Sequence, residues 1–108
     1  MTTPPLVVIL SNMNAKLMLR ERHVISAIAF AELVVWQLPV LSPGSGHHFK
    51  YRLALVVNGV CVLRYDNELG KGDHKHKDGE EIPYQFTSPI ALLNDFLQEV
   101  ENWRFEDE

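Results

Sequence analysis

Two histidines one residue apart, His74 and His76, are the residues of this chain best suited to proton transfer. In an extended segment, residues two apart project to the same side, so the two imidazoles would converge on one small volume. Imidazole serves as acid or base near neutral pH because its unperturbed pKa is about 6.5. Cleavage of RNA without a metal needs such a pair. One group removes the 2′-hydroxyl proton, and the other protonates the leaving 5′-oxygen.

Charged side chains crowd the same stretch. Arg64 and Lys71 are candidates to hold a phosphate and to offset the charge of a pentavalent transition state. Asp66 or Asp73 would orient an imidazole or an arginine. The candidate catalytic residues are therefore His74, His76, Arg64, Lys71, Asp73 and Asp66. Four further residues are candidates for binding RNA phosphates, namely Arg52, Lys50, Lys75 and Tyr84.

Other interpretations of these residues remain open. The histidines and lysines could belong to a solvated loop, Arg64 and Asp66 could form a structural ion pair, and Tyr84 could pack in the core. A metal site is a further alternative, because His-x-His supplies two imidazole ligands and Asp73 a carboxylate. The usual zinc spacings are missing, so neither a metal nor a cofactor is expected. Glu80-Glu81 is predicted to lie on the surface.

The turn Asn58-Gly59 identifies the two strands that lead into the stretch of candidate residues at 64–76. Asn-Gly between two alternating apolar runs, residues 48–57 and 60–65, predicts a hairpin with a type I′ turn. A two-residue turn with unbroken pairing places Tyr51 opposite Asp66.

This register divides the candidates between two faces of the hairpin. Arg64 and Asp66 share one face with Tyr51, and the other face carries Lys50, Arg52 and Tyr65. Residues 70–76 are predicted to form a mobile loop at the polar end of the hairpin, with both histidines on the Arg64 side.

The remaining pattern predicts a single α+β domain. Residues 16–24, 26–38 and 82–86 are expected to form strands. Ser88 as N-cap and Pro89 at the first helical position open a helix whose apolar residues recur at helical spacing. We expect an antiparallel sheet of four to five strands packed against one C-terminal helix.

Length and composition support one domain with one core. The chain has 108 residues, of which 46% are hydrophobic. The domain is expected to span residues 13–105, with 1–12 as an optional extension that need not be ordered and 106–108 as an acidic tail. The apolar run at 6–10 is too short to cross a membrane and lacks the flanks of a secretory signal. A single cysteine excludes an internal disulfide and fits a reducing cytoplasm.

The net charge of −4 is distributed unevenly. Residues 1–65 carry a net charge of +4, and residues 66–108 carry −8. A chain-wide basic field for non-specific nucleic-acid binding is therefore excluded, whereas a local basic face on the first part of the chain is allowed.

The central motifs are Arg64-Tyr65-Asp66-Asn67, then Gly72-Asp73-His74-Lys75-His76, then Pro83-Tyr84-Gln85-Phe86-Thr87 before a helix rich in Leu and Phe. With the opening stretch that begins Met13-Asn14-Ala15-Lys16, these motifs resemble the TumE-like toxin family of bacterial type II toxin–antitoxin pairs. The resemblance covers about residues 13–100.

This resemblance implies a small toxin that arrests growth by cleaving RNA and is neutralised by an antitoxin, typically one with a helix-turn-helix domain. The catalytic candidates named above are the positions that match. We therefore predict a metal-independent endoribonuclease toxin in the cytoplasm, with RNA and an antitoxin as partners, no membrane association, and a homodimer as an open question. The alternative is a non-catalytic binding module that inhibits a cellular target by contact. The acidic second part of the chain favours that alternative.

Overall fold

A computed structural model describes residues 14–68 and 70–103. The described part contains six strands and one helix, which follow the chain in the order β1 Lys16–Val24, β2 Ala29–Gln37, β3 Phe49–Val57, β4 Val60–Asp66, β5 His74–Lys77, β6 Glu80–Pro83 and α1 Pro89–Glu101. All neighbouring strands pair antiparallel in chain order. The predicted α+β class is confirmed. The predictions for residues 1–12 and 106–108 fall outside the described residues.

The core lies between one face of the sheet and α1. Alternate residues of the central strands are buried there, and they enclose Leu92 and Phe96 of the helix, both of which are 0% exposed. The sheet residues of this cluster are Ala31, Leu33, Val35, Tyr51, Leu53, Leu55, Leu63 and Tyr65. We call this the helix face. The opposite face of the sheet, which no helix of the described ranges covers, is called the open face.

Helix α1 begins as its sequence predicts. The Ser88 side chain accepts a hydrogen bond from the Ala91 N–H at 3.1 Å, and Pro89 occupies the first turn, where its missing N–H costs nothing.

A bulge in β4 corrects the predicted hairpin register. The turn itself is as predicted, with φ of 51° at Asn58 and 79° at Gly59. Pairing follows the predicted register only as far as Cys61, and the register then shifts so that Leu55 pairs with Leu63. Val62 is therefore the extra residue of the bulge, and every later residue of β4 changes face.

The face assignment drawn from the unbroken register is accordingly wrong. Tyr65 lies opposite Leu53 on the helix face, and Arg64 lies opposite Ala54 on the open face. Asp66 pairs with Arg52 rather than with Tyr51. The bulge thus places Arg52 on the same face as Arg64 and Asp66. The unbroken register had predicted that Arg52 lies on the opposite face.

The sixth strand arises from a hairpin that was predicted as a loop. Residues 74–77 form β5 and residues 80–83 form β6, in place of one strand at 82–86. Asp78 and Gly79 make the turn between them with φ of 53° and 80°. Asp-Gly is itself a type I′ turn sequence, so this signal was present in the chain.

Candidate functional site

Strand pairing brings the charged candidates onto the open face in two rows. Directly paired residues project to the same face, so each row can be followed from β1 to β6. The first row is Arg20, Val34, Arg52, Asp66, His74 and Pro83. The second row is Arg22, Glu32, Ala54, Arg64, His76 and Glu81. Strands lie about 4.8 Å apart, so Arg20 is roughly 19 Å from His74 along the first row.

Five side chains meet at the β4–β6 end of these rows and are called the histidine cluster. They are Arg64, Asp66, His74, His76 and Glu81. The two imidazole rings lie 5.1 Å apart, on the face that carries Arg64, as the sequence predicted. Glu81 Oε2 lies 3.4 Å from His74 Nε2 and 3.9 Å from His76 Nε2.

Burial differs sharply between the two histidines. The side chain of His74 is 6% exposed, whereas that of His76 is 33% exposed. His76 is therefore the imidazole that a bound molecule can reach most easily, and His74 lies behind it against Asp66.

Arg64 and Asp66 form the ion pair that was an alternative to catalysis. Arg64 Nε lies 2.6 Å from Asp66 Oδ2, and the Asp66 side chain is only 7% exposed. Arg64 Nε has no aligned hydrogen-bond partner, so the contact is a charge pair, and the Arg64 side chain is still 28% exposed to a ligand. A structural pair and a binding role are thus compatible in this geometry.

His74 presents a lone pair towards the cluster. Its Nδ1–H donates to the Gly72 carbonyl oxygen at 3.1 Å, because a carbonyl can only accept. In the neutral ring Nε2 therefore carries no proton. Nε2 lies 3.1 Å from Asp66 Oδ1, yet both atoms are buried without an aligned hydrogen-bond partner. Two facing acceptors repel unless a proton or a cation lies between them.

Asp73 belongs to a different network from the histidine cluster. Its Oδ2 accepts a 2.7 Å hydrogen bond from the Tyr51 hydroxyl and lies 2.7 Å from His47 Nε2. Burial, followed by the bond to Asp73, raises the pKa of Tyr51 far above its ordinary value. Asp73 therefore orients His47, an imidazole that sequence reasoning did not connect to it, rather than His74 or Arg64.

Asn67 ties together the two loops beside the cluster. Its Oδ1 accepts from the Tyr51 N–H at 3.0 Å, and its Nδ2 donates to the Phe49 carbonyl at 2.8 Å. Nδ2 also lies within hydrogen-bonding distance of the hydroxyls of Ser42 and Ser45. Asn67 is 2% exposed. The chain directly after β4 is thus attached to β3 and to the 38–48 loop.

A family model described as Toxin TumE matches residues 12–104, which is most of the chain. The chain belongs to the TumE toxin family. It is accordingly a toxin of a toxin–antitoxin system, and an antitoxin is its partner. Searches of curated proteins and of solved structures find no significant match. Within the described ranges, no helix is both long and apolar enough to cross a membrane.

The structure of this TumE-family toxin separates two of the predicted phosphate-binding residues from the rest. Lys75 Nζ lies 2.8 Å from Glu99 Oε2 on the helix face, where the Tyr65 hydroxyl also donates to Glu99. The Tyr84 hydroxyl donates to Asp95 Oδ2 of α1 at 2.6 Å. Both residues thus attach the β5–β6 region to the helix, whereas Lys50 and Arg52 lie on the open face.

Burial and hydrogen bonds both change the pKa values of the residues that join β5 and Tyr84 to α1. Burial works to raise the pKa of Glu99, but hydrogen bonds from Lys75, Tyr65 and Lys77 outweigh it, and the pKa falls. Burial and the hydrogen bond to Asp95 raise the pKa of Tyr84. Glu99 is therefore a charged anchor for the lysines of β5.

Glu81 is the member of the cluster that sequence reasoning missed. It pairs directly with His76 across the β5–β6 hairpin, and its Oε2 lies 3.5 Å from Lys71 Nζ. Desolvation works to raise the pKa of Glu81, but the charges of Lys71 and His74 outweigh it, and the pKa is lower than usual. The Asp78-Gly79 turn fixes this pairing and could have identified Glu81 from the sequence.

Proposed function

We propose that this toxin is a metal-independent endoribonuclease and that the histidine cluster is its active site. The observation that carries the proposal is the convergence of two imidazoles with the Arg64 guanidinium on the open face. An enzyme that transfers two protons around a phosphate needs these groups within a few ångströms of one another.

The proposed reaction uses the ribose 2′-hydroxyl as nucleophile. One imidazole takes the 2′-hydroxyl proton, and the 2′-oxygen forms a bond to phosphorus. The bond from phosphorus to the 5′-oxygen then breaks, and the second imidazole, protonated, gives its proton to that oxygen. The products are a 2′,3′-cyclic phosphate and a 5′-hydroxyl. His76, the more exposed ring, contacts the RNA directly. His74 reaches its reacting oxygen once the exposed Glu81 side chain, which lies 3.4 Å from His74 Nε2, moves away as the RNA binds.

Arg64 stabilises the phosphate in this proposal. Its Nη groups donate to the non-bridging oxygens, whose negative charge grows in the transition state. Asp66 holds the guanidinium in place. Lys71 lies near Glu81 at the rim of the cluster and adds positive charge there.

The open face supplies a path by which RNA reaches the cluster. Arg20, Arg22 and Arg52 lie in the two rows that contain the histidines, and Lys50 lies two residues before Arg52 on the same strand face. The side chains that oppose this positive charge are Glu32, Asp66 and Glu81. RNA phosphates are the ligand that such a row of cations suits best.

The proposal extends to where the toxin acts and how it is neutralised. Cellular RNA as substrate implies action in the cytoplasm. An antitoxin with a helix-turn-helix domain would neutralise the toxin by covering the open face and the cluster. A homodimer stays a prediction without support from the described contacts.

Purified toxin incubated with RNA in the presence of a chelator tests the activity. We expect cleavage products that end in a 2′,3′-cyclic phosphate, formed equally well with and without the chelator. The same incubation with ribosomes covers a ribosome-dependent enzyme. RNA that stays intact in both incubations, with toxin that still arrests growth, would contradict the proposal and favour inhibition by contact.

Replacing Arg52 by alanine should weaken RNA binding without stopping the chemistry. Arg52 is outside the histidine cluster, so we expect KM to rise several-fold while kcat stays near the wild-type value. Loss of one phosphate contact should also reduce the salt dependence of binding by about 0.7 in a log–log plot for single-stranded RNA.

Lys77→Ala is the matched control, because it removes one positive charge from the helix face. It should leave the salt dependence unchanged. An equal loss of RNA affinity in both variants would mean that the open face is not the binding surface.

A further inference from the structure

We infer that His74, His76 and Glu81 bind a divalent transition-metal ion of the Zn²⁺ type, and that the bound ion switches the histidine cluster off. The metal site itself does not depend on the proposed ribonuclease function, on which only the inhibitory effect rests.

The three side chains already approach the spacing of metal ligands. One donor atom from each of His74, His76 and Glu81 lies within 4.8 Å of the other two. The distances from Glu81 Oε2 to the two Nε2 atoms are 3.4 Å and 3.9 Å. Ligands of a tetrahedral zinc ion with bonds of about 2.0–2.1 Å lie roughly 3.3 Å apart. His76 and Glu81 are partly exposed, so small side-chain movements suffice to close the difference.

His74 is oriented as metal-binding histidines are. Its Nδ1–H donates to the Gly72 carbonyl, which leaves the Nε2 lone pair for a metal. That Nε2 atom is buried, has no aligned hydrogen-bond partner, and belongs to a side chain that is 6% exposed. The atom also faces two carboxylates, at 3.1 Å and 3.4 Å. A cation at this position satisfies the lone pair and removes the repulsion between acceptors.

The donor set selects the class of ion. Two imidazoles and one carboxylate suit zinc and neighbouring transition metals, whereas Mg²⁺ and Ca²⁺ prefer oxygen ligands alone. Asp66 lies beside the site, where its charge is already paired with Arg64, so Glu81 supplies the carboxylate of the donor set. A site with three protein ligands also leaves a coordination position open to water.

Metal binding and acid–base catalysis compete for the same atoms. The Nε2 lone pairs of His74 and His76 would be shared with the ion and could not take up or deliver a proton. A metal-independent ribonuclease built on these rings should therefore be inhibited by the ion. The free toxin would cleave RNA only where such ions are scarce or withheld.

Calorimetric titration of the chelator-treated protein with Zn²⁺ tests the binding site without measuring activity. We expect one ion per chain, and a loss of affinity of about tenfold or more in Glu81→Gln and in His76→Ala. Glu80→Gln is the matched control, because it removes a neighbouring carboxylate that pairs with Lys77 on the other face of the hairpin. This control should bind like the wild type. Equal Zn²⁺ affinity in the wild type, Glu81→Gln and His76→Ala would overturn the site.

RNA cleavage measured at increasing Zn²⁺ tests the consequence. Each variant is compared with its own rate in the absence of the ion. Cleavage by the wild type should fall as the site fills, and Glu81→Gln should need at least several-fold more Zn²⁺ for the same inhibition. A rate that rises with Zn²⁺ would overturn the inhibitory effect. A chain that binds Zn²⁺ as expected but never cleaves RNA would overturn the proposed function and leave the metal site standing.

Discussion

Replacing His76 by alanine should lower the proposed RNA cleavage by about 10²- to 10⁴-fold and relieve growth arrest, while the domain stays folded. This is the range that a positioned general acid or base contributes. His76 is the more exposed imidazole of the histidine cluster, at 33%, so its removal leaves little buried cavity. Single-turnover cleavage of RNA by the purified variant gives the rate, and circular dichroism confirms that the fold is retained.

His48→Ala controls for the loss of an imidazole as such. His48 is exposed and its Nδ1 lies 3.2 Å from the Leu38 carbonyl, away from the cluster. This variant should cleave RNA and arrest growth like the wild type. A His76→Ala protein with wild-type cleavage would remove His76 from the mechanism. Loss of cleavage in both variants would point to a general effect on the fold.

Replacing Asn67 by alanine should destabilise the domain by about 2–5 kcal/mol. The change removes the Asn67 partners of the buried Tyr51 N–H and of the half-buried Phe49 carbonyl. Each unpaired buried group costs about 1–3 kcal/mol, a large share of the roughly 5–15 kcal/mol that holds a domain folded. Urea unfolding followed by tryptophan fluorescence measures the loss.

Asn94→Ala is the corresponding control, since Asn94 is an exposed residue of α1. We expect its free energy of unfolding to change by no more than about 0.5 kcal/mol. An Asn67→Ala protein as stable as this control would show that the two loops do not depend on the Asn67 side chain.

Local signals were sufficient for most of the fold. The Asn58-Gly59 turn, the strand at 16–24 and the helix cap at Ser88 each follow from residue types with a direct conformational effect. The strand expected at 26–38 is observed at 29–37, although the alanines and Glu32 of this segment also favour a helix. The same reasoning missed the hairpin of β5 and β6, because His74–Lys77 is polar throughout and shows no apolar alternation. Only its Asp78-Gly79 turn indicated it.

The register of β4 could not be predicted from its own residues. Residues 60–63 are all apolar, so either register places an apolar side chain on each face, and no local preference selects one. The tertiary structure distinguishes them, because Leu63 and Tyr65 both become buried against α1 once the bulge is present. Arg64 and Asp66 are two residues apart and share a face in either case, which is why their ion pair was predictable.

Part of the candidate site was predictable because residues two apart in a strand share a face. A spacing of two places His74 and His76 on one face of β5 and Arg64 and Asp66 on one face of β4, and the pairing of the two strands places all four on the open face. The position of Arg52 depends on the bulge, and the position of Glu81 depends on the hairpin that was not predicted. Lys75 and Tyr84 lie on the helix face because they contact α1. These all require knowledge of which strand lies next to which, and a single strand does not encode that.

The bulge at Val62 makes β4 one residue longer than its pairing with β3 requires. Deletion of Val62 would join Cys61 directly to Leu63 and keep every other observed pair, so Arg64 and Asp66 would stay on the open face. A slip of the pairing that closed the bulge with Val62 retained would instead turn Arg64 and Asp66 towards α1 and Tyr65 away from it. Loss of this one codon should therefore be tolerated during evolution, because the residues of the histidine cluster keep their face.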